Sequence, residues 1–358
     1  MKNIRFSTSE DNDFSEILTK RVYDYFEKNG INTYANKTMV LKTVLFFGFY
    51  TSIYLFILNG NSTNLVLLFF LWGKLGLLQS FIGMSIMHDT VHEAYTKSRF
   101  IRFFLQLPIL AIGVEPKIWK IEHNIIHHIY TNVEGIDQDI HPRYLFRFTK
   151  NQPKKWFHAY QHLYSTLIYS LLIIEWVTIK DFLMTVKYHR MHFIKTKRQT
   201  ALIIGMIVIK KTVFFYLFLI LPLKTLDFKP HIIVLMFLTM MVVAGISMTI
   251  IFQLAHVVPK ITTENNHENL SKINWKVYQL ATTCDFAHKN KPLTYLIGGL
   301  NYQIEHHLFP HICHIHYPEI AKIVKETTKE YHLPYHYEET LFQAIKSHYS
   351  HLKELGRN

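Results

Sequence analysis

The sequence is poor in cysteine and in acidic residues, and each shortage excludes a class of protein. Cys284 and Cys313 are the two cysteines among 358 residues, too few for a disulfide framework or a cysteine-based zinc ribbon. Acidic residues number 26 against 39 Lys and Arg, which gives a net charge of +13. We find no nucleic-acid recognition module, so we expect this charge to face anionic lipid headgroups or an acidic protein, and no nucleic acid.

Apolar residues make up 49% of the chain and collect in long runs, as in a polytopic membrane protein. We predict an all-α integral membrane protein with four transmembrane helices at 39–58, 65–87, 203–223 and 232–257. Lysine inside a span is costly in lipid. Lys42 is near enough to a helix end to snorkel, whereas Lys74 and the Lys210–Lys211 pair should face a helix interface or lie near headgroups.

Histidine is abundant, with 23 residues, and three segments concentrate it: HDTVH at 88–92, HNIIHH at 123–128 and QIEHH at 303–307. On a helix, residues i and i+4 share a face, so each segment can point two side chains at one spot. Neutral imidazole binds iron, zinc and copper, and five or more such ligands exceed the four of a tetrahedral zinc site. The pattern therefore indicates two metal ions. Two other pairs at helical spacing, His158/His162 and His189/His192, are interpreted as ordinary polar residues.

Two shorter apolar stretches, 100–114 and 163–179, leave the topology open. If the three histidine segments build one site, they must lie on one side of the membrane. Four spans satisfy this condition, whereas a further crossing at 163–179 would separate the third segment from the others. We therefore predict that both stretches are re-entrant or interfacial helices.

Charge predicts the orientation and the domain organisation. The stretches 88–200 and 258–355 are rich in Lys and Arg, so the positive-inside rule assigns them, the metal site and both termini to the cytoplasm. The first 38 residues are polar and lack the apolar core of a secretory signal. We predict a cytoplasmic N-terminal segment, 1–38, and one domain, 39–355, in which a cytoplasmic helical cap formed by 88–200 and 258–355 holds the di-metal site.

The histidine segments resemble those of the membrane fatty acid desaturase family, whose mark is three such boxes. The resemblance covers the chain from about 39 to 355, and its most specific parts are GGLNYQIEHHLFPHICHIHYP at 298–318 and WKIEHNIIHHIYTNVEGIDQDI at 119–140. Gln303 stands where most members have the first histidine of the third box. This substitution is similar to that of the front-end desaturases, which insert a double bond between an existing one and the carboxyl end of the chain.

The resemblance implies a di-iron centre that uses O2 and removes two hydrogens from a fatty acyl chain, with zinc able to replace iron in overexpressed protein. It adds His256, at the end of the fourth span, to the ligands. The implied ligand set is His88, His92, His123, His127, His128, His256, His306 and His307. Gln303 is either a weak ligand or a residue that holds a bound water. A carboxylate often holds the second nitrogen of a ligand histidine, and the candidates for this role are Asp89, Asp137, Asp139, Asp285 and Glu305.

Several functional details follow from the resemblance as expectations. Many front-end members carry a fused cytochrome b5 domain with a His-Pro-Gly-Gly haem motif, which this sequence lacks. We therefore expect a separate electron carrier, either cytochrome b5 or a ferredoxin. The substrate is an acyl-CoA or an acyl-lipid, and the favoured location is a bacterial inner membrane, or the endoplasmic reticulum membrane in a eukaryote.

Two other activities remain open from the sequence. A fatty acyl hydroxylase could use the same scaffold, because the same oxidant hydroxylates when oxygen captures the substrate radical. A histidine-rich metal transporter would place ligands near the middle of the spans, whereas these boxes cluster at span ends. The sequence does not give the position of the double bond, the chain length or the oligomeric state.

Overall fold

The computed structural model describes residues 6–7, 12–60, 62–106, 113–141 and 144–358. Within these ranges the chain is mostly helical, and the prediction of an all-α membrane protein is confirmed. The helices in chain order are α1 Asn12–Lys28, α2 Lys37–Leu58, α3 Leu65–Val91, α4 Arg99–Gln106, α5 Pro116–Lys120, α6 Gln161–Ser170, α7 Leu172–Glu175, α8 Asp181–Arg190, α9 Lys197–Thr225, α10 Pro230–His256, α11 Trp275–Thr282, α12 Lys291–Leu296, α13 Gln303–Leu308, α14 Tyr317–Glu330 and α15 Leu341–Arg357.

Short irregular elements complete this order. π-Helical turns lie within or directly after the regular helices, at Ile82–Met87, Ile121–His127, Trp176–Lys180 and Tyr216–Ile220. Short 3-10 helices form at Trp156–Tyr160, Asn269–Lys272 and His314–His316. Two-residue strands, β1 Asp285–Phe286 and β2 Tyr337–Glu338, pair in parallel with Asp285 opposite Tyr337. This pairing attaches the C-terminal part of the chain to the segment that precedes α13.

Four described helices are long and apolar enough to cross a membrane: α2, α3, α9 and α10. They coincide with the four predicted spans, but each begins earlier than predicted or ends later. The largest difference is in α9, predicted at 203–223, whose first turn at Lys197–Thr200 is too polar to be recognised by hydropathy. Helix α3 continues past the predicted end at residue 87 because the first histidine box is itself helical. The prediction for α10 differs by only one or two residues at each end.

The two ambiguous apolar stretches do not form membrane-crossing helices in the described residues. The stretch 163–179 is divided among α6, α7 and a π-helical turn. In the stretch 100–114, α4 covers the first part, and residues 107–112 lie outside the described part of the chain. The topology that brings the three histidine boxes to one end of the spans is therefore retained.

Close packing of α3 against α10 fixes the position of the first box relative to the end of the fourth span. Trp72 and Met240 are fully buried in the core that the two helices share. At Gly76 the helices approach so closely that a Cβ atom would overlap the carbonyl oxygen of Met240. Helix α6 also approaches α10 closely, since a Cβ atom at Gly245 would lie 2.6 Å from the carbonyl oxygen of Ser170.

The lysines in the spans differ from one another in their surroundings. Lys42 does not snorkel, contrary to expectation: it is buried, and its Nζ lies 3.2 Å from Nε2 of His314. Of the two positions expected for Lys210 and Lys211, a helix interface or the headgroup region, the structure shows the first, because they pair with Glu115 at 2.6 Å and Asp181 at 2.9 Å. These acidic partners stand outside the four spans, which is why the hydropathy pattern did not reveal them.

Lys74 does not face a helix interface. Its side chain is exposed on the outer surface of α3, with Nζ 5.1 Å from the centre of the Phe70 ring.

Helices α1 and α14 pack on each other beside the third box. Phe14 and Leu18 of α1 are fully buried against Ile320 and Val324 of α14. An ion pair between Arg21 and Glu330 joins the same two helices at the surface. Most of the described part of the predicted N-terminal segment is thus a packed helix, Asn12–Lys28.

Candidate metal centre

The three histidine boxes lie on helical segments whose inner faces are buried. The first box ends α3, directly after the π-helical turn Ile82–Met87. The second box lies in the π-helical turn Ile121–His127 that extends α5. The third box forms α13, and His256 is the last residue of α10.

The π-helical turn gives the second box a different geometry from the α-helix that we predicted. The backbone N–H of His128 donates to the carbonyl of His123, five residues earlier, at 3.0 Å. This wider turn keeps His123, His127 and His128 together on the inner side. π-Helical turns are rare and frequently occur at functional sites.

All eight histidines of the implied ligand set are buried and converge on one region. Their ring nitrogens fall into overlapping groups in which all the potential ligand atoms lie within 4.8 Å of one another. The groups are His88, His92, His123 and His306; His127, His256 and His307; and His128, His306 and His307. The first two groups share no member, and the third joins His128 to one histidine of each, which suits two neighbouring metal ions.

Distances between ring nitrogens match those of ligands that share a metal ion. Nε2 of His123 lies 3.1 Å from Nε2 of His88 and 3.3 Å from Nε2 of His128. Two nitrogens that each bind one ion at about 2.1 Å are separated by about 3 Å when the angle between them is close to 90°. These histidines are therefore spaced as ligands before any ion is considered.

Hydrogen bonds on the opposite ring nitrogen hold the histidines of the third box. Nδ1 of His307 lies 2.9 Å from Oε1 of Gln279, which can only accept, so Nδ1 carries the proton. Nδ1 of His306 lies 3.2 Å from the hydroxyl of Tyr317. In both residues this leaves Nε2 as the atom available to a metal, the usual arrangement of a ligand histidine.

Two carboxylates hold His127 in the same way. Its Nδ1 lies 3.1 Å from Asp137 and 3.2 Å from Asp139. The Asp137 carboxylate also accepts the backbone N–H groups of Asn132 and Asp139, at 2.8 and 3.0 Å. These bonds fix the carboxylate, which in turn fixes the imidazole.

Among the described residues, three histidines at the centre have a buried Nε2 atom without a hydrogen-bond partner, as expected of residues that bind metal ions. Nε2 of His92, His306 and His307 is buried and has no hydrogen-bond partner in the described structure. Leaving a buried polar atom unpaired costs about 1–3 kcal/mol, and three such atoms in one place point to a missing ligand. The donor set, with neutral imidazoles and no cysteine among the grouped ligands, suits iron or zinc.

The electrostatics keep most of these imidazoles neutral, as metal ligands must be. Burial and the neighbouring histidines lower the pKa of His123, His128, His306 and His307 well below the usual range. Burial also disfavours a charge on His127, but Asp137 and Asp139 outweigh it and raise the pKa of His127 to about 9. A metal cation at this position would replace the proton that the two carboxylates otherwise favour.

Gln303 lies at the metal centre, as its place in the third box predicts. It is buried, its side chain faces the imidazole of His256, and its Nε2 has no hydrogen-bond partner in the described structure. This position suits either of the roles expected for Gln303.

The five acidic residues proposed to orient ligands divide into two kinds. Asp137 and Asp139 contact a ligand candidate directly. Among the described residues Asp89 has no hydrogen bond to a ligand candidate; it accepts from Nδ1 of His314 at 2.7 Å and from the thiol of Cys313 at 3.0 Å. It thereby joins the first box to the segment after the third, because the α3 helix turns its side chain away from His88.

Asp285 and Glu305 also lie behind the site, away from the ligand imidazoles. Asp285 accepts the backbone N–H of Ile304 at 2.8 Å and the hydroxyl of Tyr335 at 2.7 Å. The same hydroxyl lies 3.1 Å from Glu305. Burial beside Asp285 raises the pKa of Glu305 well above its usual range. These residues position the backbone of α13 and not the individual rings.

Three residues that touch the ligands had no role assigned from the sequence. The Trp119 ring stacks on His123 with centroids 4.6 Å apart and planes 10° apart. Gln279 holds His307, and Thr131 donates to Gln279 at 2.9 Å. Trp119 belongs to a recognisable motif, but Gln279 lies 24 residues before the third box and no local pattern marks it.

A cavity of about 370 Å³ opens beside the second box. His123, His127 and Trp119 form the wall nearest the metal centre, and Phe252 belongs to α10. The remaining apolar lining residues are Leu145, Phe146, Phe148, Ile168, Tyr169, Leu171, Leu172 and Trp176. The largely apolar lining suits a hydrocarbon chain and excludes water from it.

A model of the family described as "Fatty acid desaturase" matches residues 62–339. The chain belongs to the fatty acid desaturase family. This desaturase is 33% identical to an "sn-1 linoleoyl-lipid 6-desaturase" of Arthrospira platensis, over 96% of this chain and 93% of that protein.

Two further relatives cover most of this desaturase. It is 32% identical to an "Acyl-lipid (8-3)-desaturase" of Physcomitrium patens, over 99% of this chain and 74% of that protein. It is 31% identical to a "Delta(5) fatty acid desaturase A" of Dictyostelium discoideum, over 97% of this chain and 75% of that protein. The predictions of the family and of a fatty acyl desaturase, an oxidoreductase of lipid metabolism, are confirmed.

Proposed function

We propose that this desaturase inserts a double bond on the carboxyl side of an existing one, at a centre of two iron ions held by the eight histidines. The observation that carries the proposal is the convergence of eight buried histidines, three with an unpaired Nε2, next to a largely apolar cavity whose lining includes His123 and His127. When bound, the two irons supply with O2 an oxidant strong enough to remove hydrogen from an unactivated CH2 group.

The side chains orient the ligand histidines and shield the acyl chain from water, while the metal ions supply the oxidation chemistry. Gln279, Tyr317 and Asp137 hold the Nδ1 atoms of three ligands, so that Nε2 faces the site. Trp119 covers one face of His123. The apolar residues of the cavity hold the acyl chain beside the metal centre and exclude water from the reacting carbons.

Two observations support front-end regiochemistry. Gln303 occupies the first position of the third box and lies beside His256. The names of two relatives, a 6-desaturase and a Delta(5) desaturase, describe action close to the carboxyl end. We propose a lipid-linked acyl chain as the substrate, because two of the three relatives are named for acyl groups on lipids.

The orientation and the electron supply are part of the proposal. The positive-inside rule favours a cytoplasmic location for the metal centre, the histidine boxes and both termini. The net charge of +13 suits a surface that receives an acidic protein. We propose that electrons come from a separate carrier, either cytochrome b5 or a ferredoxin.

Expression with fatty acid analysis tests this function. The chain would be produced in a host that supplies electrons, fed with linoleate or with stearate, and total fatty acids would be separated with location of every double bond. A new double bond on the carboxyl side of an existing one is expected. Hydroxylated acyl chains without a new double bond would replace the proposal with a hydroxylase, and a new double bond beyond the existing ones would refute the front-end assignment.

A further inference from the structure

The cavity beside the metal centre has a polar side that a hydrocarbon chain does not need. Glu122, Gln138, Asp139 and Lys180 line it together with the apolar wall. Lys180 is the one Lys or Arg among the cavity-lining residues that the structure describes. A lysine in a cavity that binds an acyl chain therefore has a role other than contact with the hydrocarbon part of that chain.

Lys180 and Glu122 form a buried ion pair on this polar side. Their Nζ and Oε1 atoms lie 2.5 Å apart, and the side chains are 10% and 8% exposed. The hydroxyl of Tyr188 lies 3.4 Å from the other oxygen of Glu122, and Nζ lies 4.6 Å from the centre of the Trp176 ring. Replacing a buried ion pair with apolar residues is often neutral or stabilising, so stability alone gives little reason for this pair.

The ammonium group of Lys180 retains donors for a ligand. It has three N–H groups, and one carboxylate oxygen of Glu122 is its hydrogen-bond acceptor in the described structure. A carbonyl oxygen is an acceptor, and a hydrogen bond from a charged donor is about twice as strong as one from a neutral donor. The polar end of an acyl chain, an ester or thioester carbonyl, therefore fits this side of the cavity.

The position of the Lys180–Glu122 pair suits the short distance between the acyl carbonyl and the reacting carbons that front-end desaturation requires. Glu122 directly precedes the ligand candidate His123, and both line the same cavity as His127. A carbonyl bound by Lys180 is thus held close to the metal centre. An enzyme that counts carbons from the carboxyl end must fix that end only a few carbons from the reacting position.

We propose that Lys180, held in place by Glu122, donates a hydrogen bond to the acyl carbonyl and thereby sets the position of the double bond. Lys180 is then a specificity-determining residue of the cavity. This inference rests on the proposed front-end function. Esters of membrane lipids and thioesters of coenzyme A present the same carbonyl, so the experiment must separate these two sources.

The test compares Lys180→Met and Lys180→Arg with the unchanged enzyme in whole cells fed linoleate. For Lys180→Met we expect the ratio of the main double-bond position to other positions to fall at least tenfold, which corresponds to about 1.4 kcal/mol. Lys180→Arg keeps a charged donor and is expected to keep a single main position. Metal content per folded protein should be unchanged in both variants.

Lys210→Met is the matched control, since it also removes a lysine from a Lys–Glu pair but lies outside the described cavity lining. It should change the amount of product in proportion to folded protein and leave the double-bond position unchanged. The inference is overturned if Lys180→Met behaves like this control. If Lys180→Met does not fold, Glu122→Leu/Lys180→Leu replaces it, because it removes the donor without leaving an unpaired buried charge, and the same loss of positional selectivity is expected.

Failure of this inference is distinguishable from failure of the proposed function. If the unchanged enzyme makes no front-end double bond, both fall together. If it makes one and the Lys180 variants keep its position, only this inference falls. A short pulse of labelled linoleate identifies the source of the carbonyl: product that appears first in polar lipids assigns Lys180 to an ester, and product that appears first in acyl-CoA assigns it to a thioester.

Discussion

The Nε2 atoms of His88 and His123 lie 3.1 Å apart, although 35 residues separate them in the chain. One residue ends the second membrane span, and the other lies in a π-helical turn on a different segment. Neither ring can reach the other unless the spans and the cap are packed correctly. The candidate metal centre therefore depends on the packing of the whole fold.

Replacing His307 with alanine should remove a ligand. We expect desaturation to fall below detection and the metal content to decrease, because Nε2 of His307 is one of the unpaired buried nitrogens at the centre. Product analysis and metal analysis of the purified protein measure both effects. His231→Ala is the control, an exposed histidine in the first turn of α10. Full activity of His307→Ala would remove the third box from the ligand set.

Asp137→Asn should weaken metal binding while the ligands remain. The carboxylate holds Nδ1 of His127 and accepts two backbone N–H groups. Changes of this kind typically cost about 10- to 100-fold in metal affinity or activity. Competition with a chelator measures the affinity, and Asp227→Asn, at an exposed position, controls for the loss of one negative charge. Unchanged affinity would show that His127 needs no carboxylate partner.

Gln303→His should keep the metals and alter the activity. The side chain already lies at the centre beside His256, so an imidazole there restores the histidine that most family members have. We expect metal content equal to that of the unchanged enzyme, with a different rate or a different double-bond position. A collapse of the metal content would mean that Gln303 performs a structural task that histidine cannot.

Gly76→Ala should lower stability through the contact between α3 and α10. A methyl group at this position overlaps the carbonyl of Met240, and overpacking typically costs about 1–3 kcal/mol. The matched control is Gly73→Ala, one turn earlier, where the new atom meets ordinary contacts at 3.8 and 3.9 Å. Thermal unfolding in detergent should separate the two variants, and equal melting temperatures would refute the packing argument.

The spans and the clustering of the candidate ligands could be predicted from the sequence because local patterns mark both. Four long apolar runs gave α2, α3, α9 and α10 to within a few residues. The histidine boxes could be recognised from their spacing, although the second box proved to be π-helical, a distinction that spacing alone does not make.

The partners of these residues could not be predicted, since they come from distant parts of the chain. Lys42 contacts His314, and His314 is hydrogen-bonded to Asp89. This network connects three segments whose proximity no sequence pattern indicates. Gln279 is an ordinary glutamine in a short helix until the fold places it against His307. The Lys180–Glu122 pair joins residues 58 positions apart.

The most direct test of the account is the metal stoichiometry of active enzyme. The full chain would be purified from iron-supplied cells in which it desaturates, and iron and zinc would be measured per folded chain together with residual activity. The account predicts two metal ions per chain, with activity that rises with the iron fraction and is lost on chelation. One ion per chain, or full activity in metal-free protein, would contradict it.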